Sequence, residues 1–279
     1  MVLLYDHQAA IADFQIAREH YLSRRFSQAR EFVRRYQQSV DYSAFEHHDR
    51  RVVTRPSISV VIVTHGIGAP LLDCLESVYL QKGPSQEIIL VDNGSDQIIH
   101  SKIAKLSLLW IKLPINFFPS EGRNIGAYFA RSDILVFLDD DALMAPGYLA
   151  AVNQALTGKI FLGLRGRVFA KKSNSSTQPG HYDLGETIKA AEFNLEGNMV
   201  IRTSVFRMLG GFDPIMFGHE GKVLTGRWHT RFSRREICYL PKLIIHHDWA
   251  QHARLAAKRE RQALGLSLIH ISEPTRPER

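Results

Sequence analysis

Apolar side chains recur at helical spacing near the start of the chain: Ile11, Phe14, Ala17, Tyr21, Phe26, Ala29, Phe32, Val33 and Tyr36. Arg, Gln and Glu fill the positions between them, so residues 8–40 predict one or two amphipathic helices that pack on a larger body. Residues 41–56 are polar, end at Pro56 and read as a linker. From Ser57 the period changes. Ile58-Ser-Val-Val-Ile-Val63 is a β-branched run of the kind buried in parallel sheets. Pro70 to Gln81 predicts a helix with Leu71, Leu72, Leu75 and Val78 on one face, and Glu87 to Val91 a second strand. Leu108 to Ile111 predicts a third strand, Gly122 to Ala130 a helix, and Ile134 to Leu138 a fourth strand. Strands alternating with helices at this spacing predict an α/β fold with a mainly parallel sheet and flanking helices.

The second half is less regular. Lys171 to Gly180 is a polar, turn-rich loop too long for a mere connector, of a kind that covers substrates. Leu240 to Ile245 is a further apolar run. The tail from Leu266-Ser-Leu-Ile-His-Ile-Ser-Glu-Pro-Thr-Arg276 onward looks like a translated sequencing adapter, so it is set aside from fold reasoning. On that reading the native sequence stops near Gly265 and is cut short. The expected organisation is a helical extension and linker over 1–55, one α/β domain over 56–250, a basic helical tail over 251–265, and a non-native stretch over 266–279.

Composition changes this picture little. Hydrophobic content of 45% and charged content of 23% are ordinary for a globular protein, and no run reaches the roughly 18 apolar residues of a membrane span. Met1 to Tyr5 has no basic flank and meets Asp6 too early for a signal peptide. Cys74 and Cys238 match no metal spacing, and reduced thiols suit the cytoplasm. The net charge of +7 favours anionic partners. Its basic clusters, Arg18 to Arg35 and Arg254 to Arg261, suit a peripheral contact with the inner face of the cell membrane or a solvated helix face.

The candidate chemistry lies at the strand ends, where parallel α/β sheets bind ligands. The second strand empties into Asp92-Asn-Gly-Ser-Asp96 and the fourth into Asp139-Asp140-Asp141. Adjacent carboxylates raise one another's pKa unless a cation offsets them. Alternation lets Asp139 and Asp141 converge while Asp140 points elsewhere. Oxygen ligands of this kind suit Mg²⁺ or Mn²⁺, with phosphates completing the shell. Alternatively, Asp141 caps the helix after Pro146 and its neighbours are solvated.

With these acids in place, residues 57–250 resemble the family 2 glycosyltransferases of GT-A fold. The resemblance rests on Ser59-Val-Val-Ile-Val-Thr-His65, Val91-Asp-Asn-Gly-Ser95, Gly122-Arg-Asn-Ile-Gly126, the Asp139–Asp141 triplet, Glu196-Gly-Asn-Met199 and Gly210-Gly-Phe-Asp213, in that order. It implies that Asp92 binds a nucleobase, with Thr64 lining the same pocket. Arg123 and Asn124, near a helix start, and Asp140 would complete the donor site, with phosphate at Arg123. Asp139 and Asp141 would hold the metal, joined by His247 of the His246-His247-Asp248 run. Trp249 reads as a core aromatic or a sugar platform. The family's base lies in a Glu-Asp pair. Here the second acid is Gly221, which leaves Glu220 as the expected base and His219 to orient it or reach a phosphate.

The resemblance further implies a nucleotide-sugar donor, favouring UDP, a glycan or lipid-linked acceptor, inversion of configuration, and a role in cell-surface glycan synthesis. Two other readings stay open. Gly221 suits a nucleotide-sugar-binding protein without turnover. A nucleotidyltransferase shares the architecture and metal chemistry, but His65-Gly-Ile-Gly-Ala-Pro70 lacks the basic, Gly-rich loop it needs. The same loop breaks a dinucleotide-binding fingerprint. Acids at the ligand edge of the sheet do not suit a nucleic-acid-binding module.

Overall fold

The computed structural model describes residues 6–96, 103–157, 161–171, 178–232, 237–247 and 252–272. Asp6 caps the first helix, its carboxylate accepting from the Ala9 N–H at 3.0 Å. The helix, α1 (His7–Leu22), buries Ala10, Ile11, Phe14, Ala17 and Tyr21 along one stripe. α2 (Phe26–Ser39) buries Phe26, Ala29, Val33 and Tyr36. Both stripes face the main body: the ring centroids of Phe14 and Phe117 lie 4.6 Å apart, and those of Tyr21 and Phe118 5.5 Å apart. The extension therefore shares the core of the α/β body.

The expected linker is corrected in part. Glu46–Asp49 forms a strand, β1, at the edge of the sheet, and Asp49 and Arg51 continue the attachment. Arg51, almost fully buried, donates to Glu87 at 2.7 Å and to the Phe129 carbonyl at 3.0 Å. The remaining elements are β2 (Ile58–Thr64), α3 (Ala69–Tyr79), β3 (Gln86–Asp92), β4 (Leu109–Lys112), α4 (Phe118–Tyr128), β5 (Ile134–Asp139), β6 (Leu143–Met144), α5 (Tyr148–Thr157), β7 (Gly163–Phe169), β8 (Lys189–Ala190), β9 (Asn198–Arg202), α6 (Thr203–Met208), α7 (Glu220–Arg231), β10 (Ile237–His246) and α8 (His252–Ser272).

One sheet runs in the order β1-β4-β3-β2-β5-β9-β7-β10-β6, with β8 added beside β10. The expected parallel half is β4-β3-β2-β5; β9 enters antiparallel between β5 and β7. Alternation along β2 sorts the core into two layers. Val61 faces α1, α2 and α4, whereas Val60 and Ile62 face α3 and α5. α4 sits very close to β2 because two of its residues have no side chain. A Cβ on Gly122 would come within 2.7 Å of Val63 Cγ1, and one on Gly126 within 2.4 Å of Val61 Cγ1.

At the C-terminal side, α8 continues through Leu266 to Ser272, and Leu268 is fully buried in the core. The stretch set aside from the sequence thus takes part in this fold, whereas residues 273–279 lie outside the described residues. So do Asp248, Trp249 and most of the Lys171–Gly180 loop. Among the described residues, no helix is long and apolar enough to cross a membrane.

Candidate active site

The carboxyl ends of β2, β3 and β5 lie side by side, because Val63 pairs with both Val91 and Asp139. This register brings Thr64, Asp92 and the Asp139–Asp141 turn to one edge. Beside them is a cavity of about 400 Å³ lined by His65, Gly66, Ile67, Gly68, Pro70, Leu71, Asp140 and Asp141. The Thr64 hydroxyl lies 2.6 Å from Asp140 Oδ2 and 2.7 Å from the Gly66 carbonyl, and it donates to one at a time. Burial pushes the Asp140 carboxyl up to about 6; the charges of Asp141 and Asp139 add to this, and the Thr64 bond opposes it.

Asp92 is fully buried. Its Oδ1 accepts from the Ser95 N–H at 3.0 Å, while Oδ2 is covered and has no hydrogen-bond partner. A buried carboxylate oxygen without a donor is costly, and a ligand N–H would satisfy it.

The three acids expected at the end of β5 take separate directions. Asp139 Oδ1 is 2.9 Å from Arg123 Nη2. Asp140 turns to Thr64. Asp141 Oδ1 meets His247 Nε2 at 3.0 Å, which brings the residue just after β10 to the turn. Burial works to raise the Asp141 pKa, but the bond to His247 and its charge outweigh it, so the carboxyl is held below its ordinary value. Among the described residues no three His, Cys, Asp or Glu side chains converge as a ready metal cluster. The Asp141–His247 pair is the best fit to a divalent cation, since Asp139 is already engaged by a guanidinium.

Arg123 corrects an expectation. α4 begins at Phe118, with Pro119 in its first turn, four residues before the predicted start. Arg123 is therefore past the free amides of the helix start, and its side chain is almost fully buried. Its Nη1 donates to Glu220 Oε1 at 2.8 Å while Nη2 holds Asp139. Asn124 also turns inward. It donates to Glu121 Oε2 at 2.7 Å and to the Phe212 carbonyl at 3.0 Å, and it accepts from the Phe212 N–H at 2.9 Å. Its amide fixes the Gly210–Asp213 turn.

Glu220 opens α7 and is buried. Oε1 faces Arg123 and Oε2 accepts from the Gly218 N–H at 2.8 Å. These two groups orient it; His219, expected to do so, is the N-cap, with φ 66°. Burial and then Lys222 lower the His219 pKa.

Two acids escaped the sequence reading. Glu121 is fully buried and accepts from Tyr36 and Tyr42 hydroxyls, each at 2.6 Å, which ties the N-terminal extension to α4. Glu196, noted only as part of a landmark, accepts from the Gly221 N–H at 2.8 Å. Burial and the Glu220 charge push its carboxyl up to about 7, against Arg123 and the Gly221 N–H. For Glu121 the signal was its place just before Gly122; for Glu196, its place just before the turn into β9.

Residues 59–210, over half of the chain, match the model described as glycosyl transferase family 2. An uncharacterized glycosyltransferase, YwdF, of Bacillus subtilis is 25% identical over 71% of this chain and 68% of its own length. An uncharacterized glycosyltransferase of Haemophilus influenzae is 28% identical over 36% of this chain and 34% of its own. Residues 1–349 of S. aureus TarS, solved with UDP-GlcNAc, superpose with a TM-score of 0.58 at 16% identity, covering 70% of this chain and 59% of that one. GalNAc-T7, solved with UDP, GalNAc and Mn²⁺, superposes with a TM-score of 0.56 at 17% identity, covering 71% and 44%. These structures share the GT-A-like fold of the chain.

Proposed function

The chain belongs to glycosyl transferase family 2, and from that membership we propose that it moves a sugar from a uridine-diphosphate donor to a hydroxyl of a glycan or lipid-linked acceptor. The observation that carries this reading is Asp92, a fully buried carboxylate at the ligand edge of the sheet whose Oδ2 lacks a donor. The uracil N3–H is a donor of the right kind. The adjoining cavity suits the rest of a nucleotide, and the UDP and UDP-GlcNAc bound by the two solved neighbours favour uridine.

Asp141 and His247 would hold Mn²⁺ or Mg²⁺, with donor phosphate oxygens completing the shell and Asp139 within the same turn. Such an ion supplies Lewis-acid stabilisation of the leaving diphosphate. The protein supplies the rest. The acceptor oxygen attacks the anomeric carbon from the side opposite the nucleotide. The bond from that carbon to the phosphate oxygen breaks, its electron pair leaves with the nucleoside diphosphate, and configuration inverts. The hydroxyl proton passes to a carboxylate near the acceptor oxygen. Synthesis of a cell-surface glycan on the inner face of the membrane fits the basic helices.

Calorimetric titration of UDP with and without Mn²⁺, into the protein and into Asp92→Asn and Asp141→Asn, tests the reading. Manganese-dependent binding weakened by both substitutions is expected. A folded protein that binds none of UDP, GDP and TDP with Mn²⁺ would overturn it. The engagement of both Glu220 oxygens favours a second reading, a donor-binding protein without turnover; binding without sugar release or transfer would select it.

A further inference from the structure

Position 221 has no room for a side chain. A Cβ there would lie 2.1 Å from the Phe193 carbonyl oxygen and 2.8 Å from Glu196 Oε1. The first turn of α7 therefore rests directly on the Phe193–Glu196 turn, and the Gly221 N–H donates into the Glu196 carboxylate. The neighbouring glycine is as tightly constrained from the other side: a Cβ on Gly197 would fall 2.0 Å from Asp139 Oδ2. The pair Glu196-Gly197 is thus wedged between the start of α7 and the acid that closes β5. This places Glu196 one residue from the contact with Asp139.

Glu220 is less suited to collect a proton. It is buried, and Arg123 and the Gly218 N–H engage both of its oxygens. As a residue Glu196 is half-buried where Glu220 is buried, and among the described residues its carboxylate accepts a hydrogen bond from the Gly221 N–H and makes no ion pair. A base must be reachable by the acceptor hydroxyl.

We propose that Glu196 takes the acceptor's proton during transfer, its carboxylate filling the space into which a side chain at position 221 would project. The assignment rests on the transferase reading above. As the acceptor oxygen bonds to the anomeric carbon, its O–H bond breaks. The proton goes to Glu196, the bond from the anomeric carbon to the phosphate oxygen breaks, and its electron pair leaves on the nucleoside diphosphate. Glu196 then releases the proton to solvent. Among the described residues, Glu220 from α7, Arg123 from α4 and Tyr182 from the turn before β8 interact with it electrostatically. Glu220 and burial favour the protonated form, Arg123 opposes it, and the balance near neutrality suits a group that must both take and return a proton.

The test uses Glu196→Gln, whose amide oxygen still accepts from Gly221. Three measurements are compared with the unsubstituted protein. These are calorimetric UDP–Mn²⁺ affinity, melting temperature at pH 8, and UDP release into water from UDP-glucose, UDP-galactose, UDP-GlcNAc and UDP-GalNAc. Unchanged affinity, an equal or higher melting temperature, and a fall in kcat of about 100-fold or more with little change in KM are expected. A helix-capping role alone would lower the melting temperature and leave kcat within about threefold, and that result overturns the proposal. Where water is too poor an acceptor for any release, carboxyl ¹³C NMR of Glu-labelled protein decides. A resonance titrating near pH 7 and lost in Glu196→Gln supports the assignment; its titration in the ordinary carboxylate range overturns it. Failure of the unsubstituted protein to bind UDP is the separate failure of the transferase reading.

Discussion

Substitution of Tyr36 by Phe removes one oxygen from a fully buried site. Tyr36 is fully buried on α2, and its hydroxyl donates to Glu121 Oε1 at 2.6 Å. Glu121 is itself fully buried and takes two further donors, Tyr42 at 2.6 Å and Asn124 at 2.7 Å. Three donors around one carboxyl describe an ionised acceptor, and bonds to charged groups contribute about 1.5–3 kcal/mol each. Tyr36→Phe should therefore cost about 2 kcal/mol, roughly 4–8 °C in melting temperature for a chain of this size. Tyr42→Phe, at a partly exposed site, should cost less than about 1 kcal/mol because water can take the vacated place.

The pH dependence adds a second constraint. Burial raises the Glu121 pKa above its ordinary value, and the three hydrogen bonds hold it down. A group with a raised folded pKa contributes stability that is complete below its unfolded pKa and is lost as pH rises through the folded one. Removing the Tyr36 hydroxyl raises the folded pKa further, so the cost should be greater at pH 8 than at pH 5. Urea unfolding at the two pH values measures this, with an unchanged m-value confirming that the unfolded state is the same. A loss below about 0.5 kcal/mol at pH 8, or equal losses at both pH values, would refute an ionised Glu121 held by the extension.

Arg123→Met should destabilise the protein by about 3–5 kcal/mol in urea unfolding, because Glu220 is left charged and buried; Arg123→Met/Glu220→Gln should recover part of that loss. Gly221→Ala should cost about 1–3 kcal/mol, since the start of α7 must retreat from the Phe193 carbonyl; a melting temperature equal to that of the parent would contradict the close approach. The hydrogen bonds of Arg51 outweigh burial and hold the Asp49 carboxyl down at about 2, so its contribution is complete above the ordinary 3.8 and lost as pH falls towards 2. Asp49 is partly exposed, so Asp49→Asn should flatten the acid limb of the stability profile by less than about 1 kcal/mol, read from unfolding at pH 3 and pH 6.

The strands of the parallel half were legible because both their faces are buried. Ile58 to Val63 must be apolar on each side, and such a run has few alternatives. β1 was not legible. Glu46-His-His-Asp49 has no apolar position and is a strand only because the exposed edge of β4 offers it hydrogen-bond partners. The start of α4 was hidden for a local reason: Phe118 adopts φ 59° just ahead of Pro119, a break that composition does not announce. The turns that end β3 and β5 were readable because their acids follow apolar runs directly. Which way each acid then points was not, since Arg123, Thr64 and His247 arrive from three other elements.

The same distinction separates Glu220, which opens α7, from Glu196, on whose turn that helix rests. Glu220 could be chosen from sequence because it sits where a familiar pattern keeps an acid. Glu196 could not, because its importance comes from the missing side chain at residue 221, far along the chain. Around Arg123 a single guanidinium attracts Asp139, Glu220 and Glu196. It hydrogen-bonds to the first two, so at Glu196 burial and the Glu220 charge are set against a more distant guanidinium and one peptide N–H. The carboxyl with the weakest hold on a cation is the one whose protonation shifts most readily, and only the packing of α7 on the 193–196 turn decides which carboxyl that is.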